Sequence, residues 1–331
     1  MLELASNMQK KTIGVTGAAG FIGSHLCQRL LKDGFKVIAV DNFSKGTQGN
    51  IKNLKSSSAF RFKKMDLLNV AKVKTIFKDV DVVIHLAAAK IPRYGGRSTT
   101  LITNTRSTEN ILEAAKVNKP KVIFISTSDV YGKNPGLPFA EDADLVLGSS
   151  KVARWAYAVS KIFDEHLCFS YWEEYQVPFT VIRLFGVYGP KQHRTWWGGP
   201  QALFIDRILK GEEVEIHGDG KQTRTFIYID DVVDAIIKSI QSSKANNQII
   251  NIGTSEEISI IDLARLIAEI SSKKLKIKKI TYNSFTGKTY EDVRRRVPNL
   301  AKAKDLLGWE PKISLREGLE KTIDWHLQNK I

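Results

Sequence analysis

Residues 12–23, TIGVTGAAGFIG, decide the fold of this chain. This pattern of residues predicts a short strand rich in β-branched residues, a turn with three glycines, and an apolar helix that begins at Phe21 and Ile22. The glycines are Gly17, Gly20 and Gly23. Glycine adopts backbone angles closed to other residues and has no Cβ to block a ligand. Because the first turn of the helix presents unpaired N–H groups and the positive end of the helix dipole, it suits a pyrophosphate.

An acidic residue follows at the end of the next predicted strand. The strand is Lys36–Val40, KVIAV, and Asp41 closes it. A carboxylate at this point accepts hydrogen bonds from an adenosine ribose and repels a 2′-phosphate. The strand, the glycine turn, the helix and the acid together predict that the chain binds NAD.

Strands and helices alternate from residue 12 to residue 183. Near-continuous apolar runs, such as Asp81–Leu86 and Lys121–Ser126, lie between predicted helices at Ser98–Val117 and Lys151–Tyr175. Such runs indicate a parallel sheet that is covered on both faces. We therefore predict an α/β fold with a Rossmann-type, doubly wound parallel sheet.

Two domains are expected. Residues 1–183 would form the NAD-binding domain, which would also receive a later segment at roughly 226–255. Residues 184–331 would form mainly a smaller C-terminal α/β lobe that binds the substrate. The pattern loosens after Gly189 and Pro190, and this change suggests the boundary.

Composition excludes several other classes of protein. The net charge is +15, with 50 basic and 35 acidic residues, but the basic residues are scattered along the chain. We interpret the excess as favouring solubility and anionic nucleotides, and we expect no nucleic-acid partner. Cys27 and Cys168 lack metal-type spacing, so neither a disulfide framework nor a metal site is predicted. Since no signal core or membrane-spanning run occurs, a cytoplasmic protein without a membrane partner is expected.

Tyr157 and Lys161 stand four residues apart on a predicted helix, so they share one face. An ammonium beside a phenol favours the phenolate and lowers its pKa from about 10. Such a tyrosine can exchange a proton with a sugar hydroxyl while a nicotinamide exchanges the hydride. The stretch Ser126–Gly132, STSDVYG, places hydroxyls and a carboxylate at the end of a sheet strand, where this site is expected. His85, also at a strand end, is expected to be a hydrogen-bonded structural histidine.

Several motifs, taken in order, resemble the extended short-chain dehydrogenase/reductase family. They are TGAAGFIG, Asp41, Asp66-Leu67, HLAA, STSDVYG, YAVSK, RLFGVYGP, HGDGKQTRTFIYIDD and LLGWEP. The branch is that of the NAD-dependent nucleotide-sugar epimerases, dehydratases and decarboxylases, and the similarity runs from residue 12 to about residue 328.

The resemblance implies roles for particular residues. The implied NAD site consists of Gly17, Gly20, Phe21, Ile22, Gly23, Asp41, Asn42, Asp66, Leu67, Leu86, Ala87, Ala88, Tyr157 and Lys161. Tyr157 would be the base, Lys161 its electrostatic partner, and Thr127 the group that hydrogen-bonds the reacting sugar hydroxyl, with Asp129 beside it. Ser128, Arg224 and one arginine of DVRRRVP, in particular Arg295, would contact the substrate. The two arginines would clamp a diphosphate, which suits their planar donor fork. The resemblance also implies a homodimer formed through the helices near 98–117 and 151–175.

Departures from the family pattern narrow the reaction. Gly186 replaces an asparagine that contacts the substrate in many relatives. Ser128 and Asp129 stand where dehydratases carry an Asp-Glu pair, which argues against dehydration. Decarboxylases carry Ser then Glu there, so Asp129 is one methylene short, and epimerases carry small or hydroxyl residues at both positions.

The leading hypothesis is an NAD-dependent 4-epimerase of a nucleotide sugar, in particular a UDP-hexose. It would work through a transient 4-keto sugar, with Tyr157 as base and NAD retained between cycles. The alternative is a UDP-glucuronate decarboxylase in which Asp129 has the acid/base role and Arg93 or Arg97 favours the carboxylate. A non-catalytic NAD-binding scaffold or sensor is the third hypothesis. The Trp196-Trp197 loop would either cap the pocket or pack on the lobe.

Overall fold

A computed structural model describes residues 11–90, 96–281 and 291–329 of the protein. The strands, in chain order, are β1 (Thr12–Thr16), β2 (Lys36–Asp41), β3 (Phe60–Lys64), β4 (Val82–His85), β5 (Lys121–Thr127), β6 (Phe179–Leu184), β7 (Val187–Tyr188), β8 (Val214–His217), β9 (Thr223–Thr225), β10 (Ile227–Tyr228), β11 (Gln248–Ile252), β12 (Glu257–Ser259) and β13 (Ile277–Ile280). The α-helices are α1 (Phe21–Lys32), α2 (Gln48–Ile51), α3 (Val70–Ile76), α4 (Arg97–Asn118), α5 (Trp155–Tyr175), α6 (Pro200–Leu209), α7 (Ile229–Gln241), α8 (Ile260–Ile270), α9 (Ala301–Leu307) and α10 (Leu315–Gln328).

The central element is a seven-stranded parallel sheet with the order β11-β6-β5-β4-β1-β2-β3. Strand β1 pairs with β2 on one side and with β4 on the other. Successive strands are therefore added first on one side of β1 and then on the other. Ligands of doubly wound sheets bind outside the carboxyl ends of the strands at such a switch point. The predicted Rossmann-like α/β fold is confirmed.

Helices cover both faces of the sheet. Helix α1 packs against α7 on one face, and α4 packs against α3 and α5 on the other. Strand β6, FTVIRL, is buried along its whole length, as expected for a strand with helices on both sides. Among the helices that the structure describes, none combines the length and apolarity that a membrane span requires.

Residues after β6 both extend the sheet and build a second layer of short strands. Strand β11 pairs with β6 at the edge of the central sheet. Strand β7 pairs with β10, β8 with β13, and β9 with β12. The proposed division into two domains stays a prediction.

Helix α5 begins at Trp155, whereas the sequence pattern placed its start at Lys151. The residues before it form turns, in which the Ser149 carbonyl accepts the Val152 N–H at 2.9 Å. As a result Arg154 stands at the N-cap, directly before the turn that carries Tyr157.

Candidate active site

A cavity of about 460 Å³ lies at the carboxyl ends of β4, β5 and β6. Its walls run from the first turn of α1, directly after the glycine turn, to the short strands β8 and β9. The residues that line it include Phe21, Ile22, Leu86, Ala88, Lys90, Thr127, Ser128, Asp129, Tyr157, Lys161, Gly186, Trp196, Glu215, His217, Arg224, Asp292 and Arg296. The cavity therefore joins the predicted cofactor turn to the predicted catalytic pair.

The glycine turn is packed too closely for side chains. Gly17 has φ +67°, and a Cβ there would lie 2.9 Å from the backbone N of Ala87. A Cβ on Gly23 would collide with the carbonyl of Gly17. Gly20 is the N-cap of α1, it supplies no side-chain cap, and the first turn of α1 carries no acidic residue. The N–H groups of that turn are thus left to a ligand, and they fit the pyrophosphate of NAD.

Asp41 fixes the turn from the neighbouring strand. Its carboxylate accepts the N–H of Ala19 at 2.9 Å and that of Phe43 at 2.7 Å. The carboxyl is buried, and this burial raises its pKa, while the two backbone N–H groups lower it. The position at the end of β2 agrees with a ribose contact, which stays a prediction.

The other residues of the predicted adenosine side lie at the ends of β2 and β3. Asn42 Nδ2 donates to Asp66 Oδ2 at 3.2 Å, which ties these two loops together. Leu67 is buried, and its carbonyl accepts Asn110 Nδ2 of α4 at 2.8 Å.

His85 is a hydrogen-bonded structural histidine, as predicted. It is buried, and its Nδ1 lies 2.8 Å from Thr16 Oγ1 while its Nε2 lies 3.2 Å from Thr108 Oγ1. Burial lowers the pKa of His85 to about 3, so the ring stays neutral. The Thr16 hydroxyl also accepts the N–H groups of Leu86 and Ala87, which holds the loop after β4 against the glycine turn.

Tyr157 and Lys161 line the cavity together from α5. The Lys161 ammonium is buried, donates to the carbonyl of Ile125 at 2.9 Å, and lies 4.3 Å from the centre of the Phe124 ring. Burial lowers the pKa of Lys161, and Asp164 and Glu165 on the same helix raise it.

The expectation that the pKa of Tyr157 is lowered from its usual value is wrong for the protein on its own. Burial raises the pKa of Tyr157 above its usual value, and the carboxylates of Asp129 and Asp164 raise it further. The ammonium of Lys161 is directed to the carbonyl of Ile125 instead. The phenolate therefore needs a further positive charge at the site.

Thr127, Ser128 and Asp129 form the end of β5 and a short 3₁₀ helix. The Thr127 hydroxyl accepts the Asp129 N–H at 3.2 Å and donates to Asp129 Oδ2 at 3.3 Å. Although burial raises the pKa of Asp129, four cations together lower it to about 2. They are Arg296, Arg154, Lys90 and Arg224. Asp129 is therefore ionised at neutral pH and does not hold a proton to donate.

Three arginines and two aspartates form a chain of ion pairs along this wall. Arg296 Nη1 lies 2.8 Å from Asp129 Oδ1, and Arg224 Nη2 lies 2.8 Å from Asp292 Oδ1. Arg154 bridges the two, at 3.6 Å from Asp129 and 3.5 Å from Asp292. Arg154 and Asp292 were missed by the sequence analysis, whereas Arg296 was one of the three arginines of DVRRRVP among which it preferred Arg295.

The assignment of Arg295 to the substrate is corrected. Arg295 is 58% exposed and pairs with Glu257, with Nε 3.1 Å from Oε2, and it does not line the cavity. Arg296 does line the cavity, and its side chain is 15% exposed. Arg97 donates to the carbonyls of Ser150 and Lys151 and is likewise absent from the lining, whereas Arg93 lies outside the described residues.

In the Trp196-Trp197 loop, the first ring lines the cavity and the second contacts Lys45, which follows β2. Trp196 lines the cavity and lies 4.6 Å, between ring centres, from His217. Lys45 Nζ stands 3.9 Å from the centre of the Trp197 ring. Gly186 also lines the cavity, where a Cβ would collide with the carbonyl of Thr225. The close approach of β9 thus explains why this position lacks a side chain.

Comparisons with known proteins agree with this geometry. Residues 15–322 match the family described as GDP-mannose 4,6 dehydratase. The UDP-N-acetyl-alpha-D-glucosaminuronate decarboxylase of Bacillus cytotoxicus is 38% identical over 96% of this chain and 98% of its own. The UDP-glucuronic acid 4-epimerase of Bacillus cereus, solved with UDP-glucuronic acid and NAD, is 35% identical with a TM-score of 0.86, covering 96% of this chain and 99% of that one. The UDP-glucose 4-epimerase of Thermotoga maritima, solved with UDP-glucose, is 32% identical with a TM-score of 0.86, covering 97% and 100%.

The chain belongs to the GDP-mannose 4,6-dehydratase family of extended short-chain dehydrogenases/reductases. These enzymes modify nucleotide sugars with NAD, which is the cofactor of this protein.

Proposed function

We propose that the protein decarboxylates a UDP-linked uronate after oxidation at C4. The observation that carries this proposal is the ion pair of Arg296 and Asp129, which lies in the cavity that Tyr157 and Thr127 also line. A guanidinium at the reacting end of the cavity suits a substrate whose sugar bears a carboxylate. For this reason we prefer decarboxylation to the UDP-hexose 4-epimerisation that was the leading hypothesis from the sequence.

The charges of the cavity also favour an anionic sugar. Its lining includes four cationic side chains, Lys90, Lys161, Arg224 and Arg296, against three carboxylates, Asp129, Glu215 and Asp292. Arg154 adds a further positive charge behind this wall. Because charges in a partly desolvated site interact more strongly than in water, this excess attracts both the diphosphate and a sugar carboxylate.

Three residues act in the oxidation at C4. Tyr157, as the phenolate, removes the proton of the C4 hydroxyl, and Thr127 orients that hydroxyl. Lys161 holds a positive charge near the phenol. NAD, when bound, supplies the hydride acceptor and a positive ring that lowers the pKa of Tyr157.

Loss of CO₂ follows from the product of that oxidation. With a ketone at C4, the C6 carboxylate is that of a β-keto acid. The bond between C5 and C6 breaks, its electron pair forms a double bond between C4 and C5 with the negative charge on the C4 oxygen, and C5 then takes a proton from water. Return of the hydride to C4, with the proton that Tyr157 took from the C4 hydroxyl, would give the pentose, whereas release before that return would give the 4-keto pentose. We infer that the hydroxyls of Thr127 and Tyr157, which both line the cavity, stabilise the enolate oxygen. The ionised Asp129 holds Arg296 in place for the carboxylate.

The relatives support a uronate in particular. The Bacillus cytotoxicus relative is named for an N-acetylated uronate, and the Bacillus cereus structure contains UDP-glucuronic acid. Ser128 and Asp129 also stand closest to the Ser-Glu pair that the family resemblance associates with decarboxylases.

The second candidate is 4-epimerisation of a UDP-sugar. It is favoured by the structural likeness to 4-epimerases over nearly the whole chain. The first step is shared, since the same tyrosine and cofactor oxidise C4. The two functions differ in whether C6 is lost.

The test is NMR of the NAD-loaded protein with four substrates in turn. They are UDP-[6-¹³C]glucuronate, UDP-[6-¹³C]N-acetylglucosaminuronate, UDP-glucose and UDP-N-acetylglucosamine. Decarboxylation gives ¹³C-bicarbonate and a pentose or 4-keto pentose. Galacto-configured signals with C6 retained would instead establish the epimerase. The Tyr157→Phe protein is the control, and no reaction of any substrate contradicts both candidates.

We also propose that the protein is a homodimer, through the outer faces of α4 and α5. Ile102 on α4 is 47% exposed, and Val159 and Phe163 on α5 are 44% and 50% exposed. These large apolar side chains lie on two helices that pack side by side, so together they offer an apolar surface.

A further inference from the structure

Asp164 is a buried carboxyl that the proposed reaction does not use. It lies on α5, one helical turn beyond Lys161 and two turns beyond Tyr157. Its side chain is 0% exposed. Within the described part of the chain, neither of its oxygens has a hydrogen-bond partner of normal geometry. A buried polar group without partners is costly, so a functional explanation is called for.

Glu165, the next residue, is also buried, and its carboxylate has clear structural partners. Glu165 pairs with Arg183 of β6, with Arg183 Nη2 2.6 Å from Glu165 Oε2, and Glu165 also accepts the hydroxyl of Ser126. Among the residues that the structure describes, no arginine pairs with Asp164 in this way, since Arg183 donates to Glu165. Asp164 is therefore not part of that buried ion pair.

The groups around Asp164 come from three elements. Tyr157, Lys161, Glu165 and Cys168 share α5 with it, the Thr108 hydroxyl faces it from α4, and the neutral His85 of β4 lies near Lys161. Burial raises the pKa of Asp164 to about 7, Lys161 and Thr108 lower it, and Glu165 raises it. Its charge therefore changes in the pH range in which most enzymes work.

Asp164 acts in turn on the predicted catalytic pair. Its negative charge raises the pKa of Tyr157 and also raises that of Lys161. In a buried site, one carboxylate beside one ammonium removes most of the positive field that the ammonium exerts on a third group.

We propose that Asp164 is a positioning residue that controls how strongly Lys161 favours the phenolate of Tyr157. When Asp164 is neutral, the charge of Lys161 acts on Tyr157 in full. When Asp164 is ionised, it offsets that charge, and the phenolate becomes harder to form. The inference rests on the proposed function only in taking Tyr157 as the base.

The size of the effect follows from distance. Two helical turns correspond to a rise of about 10 Å. At an effective dielectric constant of about 20, a charge at that distance shifts a pKa by about one unit, a tenfold change in the phenolate fraction.

The experiment compares Asp164→Asn with the unmodified chain, both loaded with NAD. Tyrosine is labelled with ¹³C at Cζ, and Tyr157 is assigned by the loss of its signal in Tyr157→Phe. We expect Tyr157 to titrate about one pH unit lower in Asp164→Asn. Turnover should be equal in the two proteins at pH 6 and up to about tenfold faster in the variant at pH 9. The reason is that Asp164 is ionised at pH 9 in the unmodified chain, whereas the variant carries no charge at this position. A purely structural role would slow the variant at both pH values.

Two further variants make the result decisive. Asp164→Ala serves if Asp164→Asn folds poorly, and it should shift Tyr157 in the same direction. Glu174→Gln removes an equal charge from the exposed end of the same helix, and it should leave the pKa of Tyr157 unchanged. A Tyr157 midpoint that neither Asp164 variant moves overturns the inference. A shifted midpoint without turnover of any UDP-sugar upholds it and contradicts the proposed function instead.

Discussion

Arg296 places its guanidinium 2.8 Å from the carboxylate of Asp129 inside the cavity, whereas its neighbour Arg295 faces Glu257 outside it. The two side chains differ by one position in the sequence and have opposite surroundings. This pair offers a matched test of which arginine serves the substrate.

Arg296→Ala should lower kcat/KM for a UDP-uronate by about 30- to 150-fold, the value of a charge-assisted contact of about 2–3 kcal/mol. Arg295→Ala should stay within about threefold, because exposed ion pairs contribute about 0–1 kcal/mol. Steady-state kinetics on the NAD-loaded proteins measure both. If Arg295→Ala were the more damaging change, the assignment of Arg296 to the substrate would be refuted.

Tyr157→Phe should reduce turnover by about 10²- to 10⁴-fold, the usual contribution of a general base. Bound NAD should be retained, since the glycine turn is untouched. Activity comes from the NMR assay and NAD content from the absorbance of the cofactor released on denaturation. A variant that keeps full activity would show that another group takes the proton.

Gly23→Ala should weaken NAD binding by at least about tenfold or lower the melting temperature, because its Cβ meets the carbonyl of Gly17. Gly49→Ala is the control, since the nearest atom to its Cβ is 3.9 Å away and the residue lies in α2. It should be neutral or stabilise by about 0.4–1 kcal/mol. Calorimetric titration with NAD and thermal unfolding separate the two effects. Equal behaviour of both variants would contradict the close packing of the turn.

The pH dependence of stability should reflect Asp164. Its pKa is about 7 in the folded protein and about 3.9 in an unfolded chain, so the folded state keeps the proton to higher pH. The contribution of Asp164 to stability is therefore most favourable below pH 4 and falls as the pH rises to 7. The stability of Asp164→Asn relative to the unmodified chain should rise by about 2–3 kcal/mol between pH 5 and pH 8. Urea unfolding at both pH values measures this, and a difference that does not change with pH would disprove the raised pKa.

Phe163→Glu should convert the proposed dimer to a monomer, because it places a charge in the exposed apolar surface of α4 and α5. Leu327→Glu is the control, a 48% exposed leucine on α10 that receives the same charge. Light scattering after size-exclusion chromatography reports the mass. A monomeric unmodified protein, or a Phe163→Glu protein that stays dimeric, would exclude this surface.

The sequence by itself determined the fold and the residues that depend on local pattern. Gly17, Gly20 and Gly23 between a strand and a helix predicted the cofactor turn, because backbone angles and close approach are local properties. Tyr157 and Lys161 were found because a spacing of four places two residues on one face of a helix. Near-continuous apolar runs between predicted helices indicated the parallel sheet, since a strand that is buried on both faces has apolar residues along its whole length.

The tertiary structure decided the charges of the site. Arg154, Asp129, Asp292 and Arg296 are distant in sequence and meet only where α5, the end of β5 and the segment before α9 converge. Which of Arg294, Arg295 and Arg296 enters the cavity depends on how the segment before α9 packs, which three consecutive arginines cannot reveal. The raised pKa of Tyr157 likewise depends on burial and on two carboxylates, Asp164 two turns along α5 and Asp129 just after β5. No sequence spacing records how deeply a side chain is desolvated.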